Sequence, residues 1–515
     1  MARADRKQQH APRTGWPGLR SGVAVMGGRM GLERHDRANA AEISCLDSGK
    51  SFLTDPRTGT IAHSMLPTLF RARARRLVRF VLVPLGLCTG LVAEVTPQQE
   101  IELRVQMRKA LMVSDPLPAL EPRSHGRFEP AEGVVAERVT YGTQFGMRIP
   151  AIVYFPKART APAPAIIVVN GHGGDKYSWY AMYSGILYAR AGAIVLTFDP
   201  TGEGERNQEH KSGTRDHDRL EPVDARWHHE LVRRQGGLIV GDVMQAVSYL
   251  AQRPEVDPKR IAAMGYSLGS MITALAGAVD PRLAACVVAG GGGFGIPAPG
   301  SEAKTPTGSK PSCIQGIPYR SLTFLKDPPA VIYTLNAARG ATLVVNGELD
   351  WDGTPRKNPT QMLATRARTI AYRGSSQGMF DVAKNEPGAA HRPYFVNRDV
   401  AVWLHHQLQF PNWTEMQIAA MGETYIRDWS ASEKVELDPM YTTEILEGGT
   451  RALGTGIPGI PVEQLNVFSR QDWEREKDRM TLDGWVLRTL KQMGVPPPSP
   501  KSMQRRPQAT KAEKG

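Results

Sequence analysis

The sequence MGYSLGS at Met264–Ser270 contains the pattern G-x-S-x-G, in which a serine lies between two glycines. The run Arg260–Gly265 before the serine predicts a buried strand, and Gly269–Val279 after it predicts a helix. A sharp turn from strand to helix holds the serine in strained backbone geometry, and side chains two residues away on either side would collide. The pattern therefore predicts that Ser267 lifts its hydroxyl above the edge of a sheet.

The chain around this motif alternates short apolar runs with amphipathic segments from about residue 135 to residue 408. Strands are predicted at 137–141, 148–155, 165–169, 193–198, 260–265, 284–289, 341–346 and 379–383, and helices at 179–187, 240–250, 269–279 and within 394–408. The first two strands are expected to form a hairpin. The alternation predicts an α/β protein with a mostly parallel central sheet and helices on both faces.

A serine hydroxyl becomes a nucleophile only beside a base, and the base needs an orienting carboxylate. After this kind of turn the three groups follow in the order Ser, acid, His. His391, in the loop GAAHRP, is the candidate base, and the alternative is a surface histidine. Asp350 and Asp352 compete for the acid; Asp350 lies nearer the end of the 341–346 strand and is preferred, with Glu348 third.

Two backbone amides are expected to stabilise an oxyanion. The N–H of Leu268 lies at the N-terminus of a helix, where negative charge is favoured. The second donor is expected from the loop after the 165–169 strand, Asn170–Gly174, whose glycines allow close backbone approach. We predict the N–H of His172, with Gly173 or Gly174 as alternatives.

These segments together resemble the α/β-hydrolase superfamily over residues 130–410. The stretch FDPTGEGER at Phe198–Arg206 resembles the secreted acetylxylan-esterase-like and dienelactone-hydrolase-like branches. The resemblance implies the α/β-hydrolase fold, a Ser267-Asp350-His391 triad, and neither a metal nor an organic cofactor. One difference is Asn170, because many relatives have histidine at that place.

Composition and charge exclude several other classes. Hydrophobic residues make up 41% and charged residues 22% of the 515-residue chain, as in ordinary globular proteins, which excludes a multi-span membrane protein or a chain disordered throughout. The net charge of +13 divides into +9 for residues 1–93 and +4 for residues 496–515, so the body is neutral. The body therefore gives no reason to expect a nucleic-acid partner.

Both ends of the chain differ in composition from the body. Arginines at 71–79 precede an apolar run at 80–93, which is typical of a secretory signal peptide and too short for a membrane span. We expect translation from Met65 and cleavage near Ala93, and no stable membrane insertion after cleavage; a signal-anchor is the alternative. Along the chain we predict five segments: an unstructured extension (1–64), the signal peptide (65–93), the hydrolase domain (94–410), a C-terminal helical appendage (411–495) and a disordered basic tail (496–515).

The sequence thus predicts a secreted or periplasmic serine hydrolase that cleaves carboxylic esters, with acyl esters of carbohydrates as substrates. The alternatives are a single-domain serine peptidase of the prolyl-oligopeptidase type and a non-catalytic binding protein on a hydrolase scaffold. Small-molecule or polysaccharide esters are the expected partners, and the oligomeric state stays open. In the body, Cys286 and Cys313 could form one disulfide or remain two buried thiols.

Overall fold

The structure is a computed structural model, and it describes residues 95–158, 162–215, 225–291, 321–322, 324–325, 327–347, 380–382, 391–437 and 450–496. The predicted extension, the signal peptide and nearly all of the basic tail lie outside these residues, as do Glu348, Asp350, Asp352 and Cys313. Cys286 is described, and its thiol is buried in the core.

One large sheet organises the described part of the chain. Its strands are β1 (Arg123–Ala131), β2 (Val134–Gly142), β3 (Arg148–Pro156), β4 (Ala163–Val169), β5 (Ile194–Phe198), β6 (Val256–Tyr266), β7 (Ala285–Ala289), β8 (Ala341–Val345) and β9 (Phe380–Val382). They lie in the order β1-β2-β3-β5-β4-β6-β7-β8-β9. Strands β1 to β3 pair antiparallel, as does β3 with β5, and all pairs from β5 to β9 are parallel. The predicted hairpin and the mostly parallel sheet are therefore confirmed.

Helices cover both faces of this sheet. They are α1 (Pro97–Ala110), α2 (Trp179–Arg190), α3 (Ala225–Ala251), α4 (Leu268–Val279), α5 (Pro328–Arg339), α6 (Arg398–Leu408), α7 (Glu415–Ala420), α8 (Ile426–Glu433), α9 (Val462–Leu465), α10 (Arg470–Glu476) and α11 (Leu482–Gln492). Buried residues of α1, α3, α4, α5 and α11 join one hydrophobic cluster, whereas those of α2 and α6 join the other. Alternating residues of β3 face the two clusters, because successive side chains of a strand point to opposite faces. The fold is the α/β-hydrolase fold.

Several elements differ from the sequence prediction. The edge strand β1 was not predicted, because its residues are mostly exposed and lack alternating apolar positions. Helix α1 was also missed, although Thr96 and Gln99 form a capping box that the sequence displays. Helix α3 begins at Ala225, 15 residues before the helix predicted at 240–250. None of the described helices is both long and apolar enough to span a membrane.

The region predicted as a C-terminal appendage packs closely on the sheet. Trp473 and Met480 are fully buried in one hydrophobic cluster, and Trp485 and Leu490 are fully buried in the other. Besides its helices this region contains a small antiparallel pair, β10 (Glu423–Tyr425) and β11 (Arg451–Leu453), so it is not purely helical. The domain boundary at residue 410 stays a prediction.

Candidate active site

Ser267 occupies the turn between β6, which ends at Tyr266, and α4, which begins at Leu268. Its backbone angles are φ 56° and ψ −117°, a combination that is costly for a residue with a side chain. The Ser267 N–H donates to the carbonyl of Ala289 at 2.9 Å, which anchors the turn to the neighbouring strand β7. Such strain persists only where the surroundings enforce it, and it is the geometry expected of a nucleophile elbow.

The two glycines of the motif are required by backbone contacts across the turn. A methyl group on Gly265 would overlap the carbonyl oxygen of Gly269 and the hydroxyl of Thr273. A methyl group on Gly269 would overlap the carbonyl oxygen of Val169 and lie 2.6 Å from that of Asn170. The collision inferred from the sequence therefore occurs, and rigid backbone atoms on both sides leave no room to relax.

Replacing Gly269 by alanine is expected to lower the free energy of unfolding by about 3 kcal/mol or more, because the added methyl group is overpacked against backbone. Chemical denaturation measures this loss. Gly133→Ala is the matched control: its methyl group meets nothing within 4 Å, and its φ of +76° costs only about 1–2 kcal/mol. Equal losses for the two variants would contradict the proposed overlap.

His391 lies beside the same turn and is 8% exposed. Its ring lies 4.9 Å from the ring of Tyr266, and its carbonyl accepts a hydrogen bond of 3.1 Å from the Tyr266 hydroxyl. A methyl group on Gly290 would lie 3.0 Å from the His391 Cε1, and one on Gly291 would lie 3.4 Å from the Ser267 carbonyl oxygen. Ser267 and His391 therefore both border the backbone that follows β7.

Asp350, the predicted acid of the triad, and the alternative Asp352 lie outside the described residues. Strand β8, which precedes them, ends at Val345 at the same edge of the sheet. The next residue, Asn346, holds Gly291 by two hydrogen bonds, at 2.9 and 3.1 Å. The triad as a whole stays a prediction.

The loop Asn170–Gly174 packs against the elbow, as expected of an oxyanion loop. A methyl group on Gly171 would lie 3.3 Å from the Ser267 Cβ, so only glycine lets the loop approach this closely. The Gly171 N–H donates to the Tyr180 hydroxyl at 3.0 Å, and His172 follows it half-buried. Leu268 begins α4, as predicted. The assignment of the Leu268 and His172 amides as oxyanion donors stays a prediction.

A fully buried ion cluster lies directly behind this loop. The Lys176 Nζ lies 2.5 Å from the Asp199 Oδ2 and 2.9 Å from the Glu205 Oε2. Asp199 also accepts the N–H groups of Lys176 and Glu205, at 3.2 and 2.9 Å, so it satisfies amides of both loops. Glu205 accepts the N–H groups of Val467 and Phe468, at 3.1 and 2.9 Å. The cluster therefore joins the loops after β4 and β5 to the C-terminal region.

The carboxyl groups of this cluster respond differently to burial. Burial by itself raises the pKa of Glu205, but the charge of Lys176 and hydrogen bonds from His210, Lys176 and Phe468 outweigh it and lower that pKa to about 2. Burial and the charge of Asp199 raise the pKa of Asp175 to about 7. Burial and the charge of Glu205 raise the pKa of Asp199, and they outweigh the charge of Lys176, which lowers it. Glu205 is therefore the carboxylate that most favours the ionised form.

The lowered pKa of Glu205 predicts a pH-dependent contribution to stability. Ionised Glu205 stabilises the fold fully above its ordinary pKa of 4.5, and this contribution is lost as the pH falls towards about 2. We expect Glu205→Gln to lower the free energy of unfolding by a few kcal/mol at neutral pH, and the deficit to shrink below about pH 4.5. Urea denaturation of both proteins between about pH 3 and pH 7 measures it. Glu463→Gln, at an exposed carboxylate, is the control. If the deficit of Glu205→Gln did not change with pH, the stabilising effect could not be assigned to the ionised form of Glu205.

No group of three or more His, Cys, Asp or Glu residues within the described ranges is arranged to hold a metal ion. The ring of His210 stacks on that of Trp473, with the ring centres 5.0 Å apart. Sequence reasoning did not identify Tyr180 and Tyr266 as residues that contact the oxyanion loop and His391. Tyr266 fills a variable position of G-x-S-x-G, so the pattern alone carries no signal for it.

Comparisons with known proteins find similarity to esterases over part of the chain. Residues 120–290 match the acetyl xylan esterase (AXE1) family model. A hydrolyase from Penicillium oxalicum is 30% identical over 143 residues, which are 27% of this chain and 29% of that protein. Feruloyl esterase B from Thermothelomyces thermophilus is 28% identical over 179 residues, 34% of this chain and 56% of that protein. The chain thus spans between about a third and just over half of the length of these relatives.

Solved structures with a similar chain path include an acetyl xylan esterase from Paenibacillus sp. R4. It is 18% identical, with a TM-score of 0.42 over 62% of this chain and 98% of that chain. A methylesterase is 17% identical, with a TM-score of 0.48 over 78% of this chain and 76% of that chain. The chain has the α/β-hydrolase fold, and its residues 120–290 match the acetyl xylan esterase family.

Proposed function

We propose that the protein is a serine esterase that hydrolyses acyl esters of carbohydrates through an acyl-enzyme. The observation that carries the proposal is the strained elbow at Ser267, with His391 and a glycine-rich loop beside it at one edge of the sheet. A strained serine next to a buried histidine has no evident structural purpose, whereas nucleophilic catalysis needs both. The family match at residues 120–290 supports an ester substrate.

In the proposed mechanism the Ser267 hydroxyl attacks the ester carbonyl carbon, and His391 accepts the hydroxyl proton. The negative charge that develops on the carbonyl oxygen is held by backbone N–H groups, assigned here to Leu268 and His172. Collapse of the tetrahedral intermediate expels the alcohol, which takes the proton from His391, and leaves an acyl group on Ser267. Water, deprotonated by His391, then attacks the acyl carbon; the bond from Ser267 to the acyl group breaks, the Ser267 oxygen takes the proton from His391, and the carboxylic acid leaves. Asp350 is assigned to orient the imidazole and to stabilise its charged form.

The substrate class rests on similarity. The family is that of acetyl xylan esterases, and one relative is named a feruloyl esterase, so acetyl and feruloyl esters of plant polysaccharides are the first candidates. A serine peptidase of the prolyl-oligopeptidase type uses the same catalytic groups and is the main rival.

The leader at 65–93 is the reason to propose export of the protein. Detection of a mature chain that begins near residue 94 outside the cytoplasm tests this proposal.

The proposal is tested with the purified protein on acetylated xylan, a feruloyl sugar ester, p-nitrophenyl acetate and an aminoacyl p-nitroanilide. We expect turnover of the esters and little of the anilide. A fluorophosphonate probe is expected to label Ser267, as located by peptide mass spectrometry. Preference for the anilide would favour the peptidase. A protein that is neither labelled nor active would be a non-catalytic member of the fold.

A further inference from the structure

We propose that Tyr180 and Tyr266 are positioning residues that hold the oxyanion loop and the base loop in one fixed arrangement. The inference rests on the proposed function and concerns how its site is kept assembled. Both side chains are almost fully buried, at 4% and 7% exposure, and they lie between Asn170–Gly174 on one side and His391 on the other.

On the base side, Tyr266 contacts His391 in two ways. The two rings lie 4.9 Å apart at 36°, and the Tyr266 hydroxyl donates to the His391 carbonyl at 3.1 Å. The ring contact restricts the tilt of the imidazole, while the hydrogen bond fixes the backbone that carries it. A methyl group on Gly290 would lie 3.0 Å from the His391 ring and 3.1 Å from the Tyr266 ring. The backbone at Gly290 therefore packs closely against both rings.

On the oxyanion side, Tyr180 holds the first residue of the glycine-rich stretch. The Gly171 N–H donates to the Tyr180 hydroxyl at 3.0 Å in a buried setting. A methyl group on Gly174 would overlap the same hydroxyl, so the loop wraps around it. The residue between these two contacts, His172, supplies the amide that we assign to the oxyanion.

The two tyrosines contact each other, which links the two halves of the site. Their rings meet edge to face at 5.5 Å and 72°. Phe395, four residues after His391, meets the Tyr180 ring at 5.9 Å and 72°. Edge-to-face pairs of buried aromatic rings are favourable beyond their buried area and resist relative rotation. A shift of either loop is therefore transmitted to the other through rigid rings.

Both hydroxyl groups bind backbone atoms, so the two tyrosines act through the groups they hold. A displacement of about 1 Å in a catalytic group costs on the order of 100-fold in rate, because the reacting atoms no longer meet in a near-attack geometry. Removing one hydroxyl leaves the ring packing intact and loosens a single loop. The expected loss in kcat is therefore about 10- to 100-fold, with KM changed less than about twofold.

The test compares Tyr266→Phe and Tyr180→Phe with the control Tyr183→Phe in the active enzyme. Tyr183 is a buried tyrosine on the same helix, α2, and its hydroxyl donates to the Leu453 carbonyl at 3.1 Å, away from the site. We expect the two site variants to lose about 10- to 100-fold in kcat and to bind phenylboronic acid, a tetrahedral adduct of the serine, about 10-fold more weakly. The control is expected to stay within about twofold in both measurements.

The split between kcat and KM separates positioning from general loss of structure, because a displaced catalytic group lowers kcat while substrate binding stays. If both site variants match Tyr183→Phe in kcat, KM and boronate affinity, the inference is wrong while the esterase function stands. A wild-type protein that neither hydrolyses esters nor reacts with the fluorophosphonate would overturn the proposed function, and this inference with it.

Discussion

Replacing Ser267 by alanine is expected to reduce ester hydrolysis by at least about 10⁴-fold, because the variant lacks the atom that forms the acyl-enzyme. The residual rate would come from the oxyanion amides and from substrate binding. Initial rates on p-nitrophenyl acetate at several enzyme concentrations measure the loss. Binding of substrate analogues is expected to change little, since alanine leaves the shape of the elbow intact.

Ser248→Ala is the matched control for this prediction. Ser248 is also buried, but it lies on α3 and its hydroxyl donates to the Met244 carbonyl at 3.0 Å. Its replacement is expected to keep at least half of the wild-type rate, since the Ser248 hydroxyl bonds Met244 and Arg282, which lie outside the candidate site. If Ser267→Ala kept more than about one part in ten of the activity, another residue would have to be the nucleophile.

Replacing Lys176 by methionine is expected to lower the free energy of unfolding by about 3–5 kcal/mol, because the carboxylates of Asp199 and Glu205 then stay buried without their cation. Methionine keeps most of the unbranched apolar stem of lysine, so the change mainly removes the charged group. Urea denaturation at neutral pH gives the difference. A marginally stable protein loses a large share of its total stability by such a change.

Lys157→Met provides the comparison for a surface ion pair. Lys157 lies 2.9 Å from Glu129, and both side chains are more than half exposed, at 58% and 59%. Solvent screens this pair, so its loss is expected to cost less than about 1 kcal/mol. In the double variant Lys176→Met/Glu205→Gln the loss should be smaller than the sum of the two single losses. If Lys176→Met were as mild as Lys157→Met, the cluster would not be a stabilising element.

Much of the fold was predictable because local patterns of apolar residues and turn residues encode it. The strands from β4 to β8 are short apolar runs bounded by turn residues, and the alternation with helices leaves a parallel sheet as the architecture that buries them. The elbow was predictable for the same reason, since Gly265 and Gly269 surround Ser267 within five residues. Helix α1 was missed although its capping residues are local, and β1 was missed because an exposed edge strand has little apolar pattern.

The amino-acid sequence by itself determined the class of fold and the candidates for nucleophile and base, Ser267 and His391, because each rests on residues close together in the chain or on their order along it. The tertiary structure decided what surrounds them. Tyr266 meets a carbonyl 125 residues away, and Glu205 accepts amides 262 and 263 residues away. No periodicity or spacing encodes such contacts, because they arise only when the sheet brings distant loops to one edge and the C-terminal region closes over them.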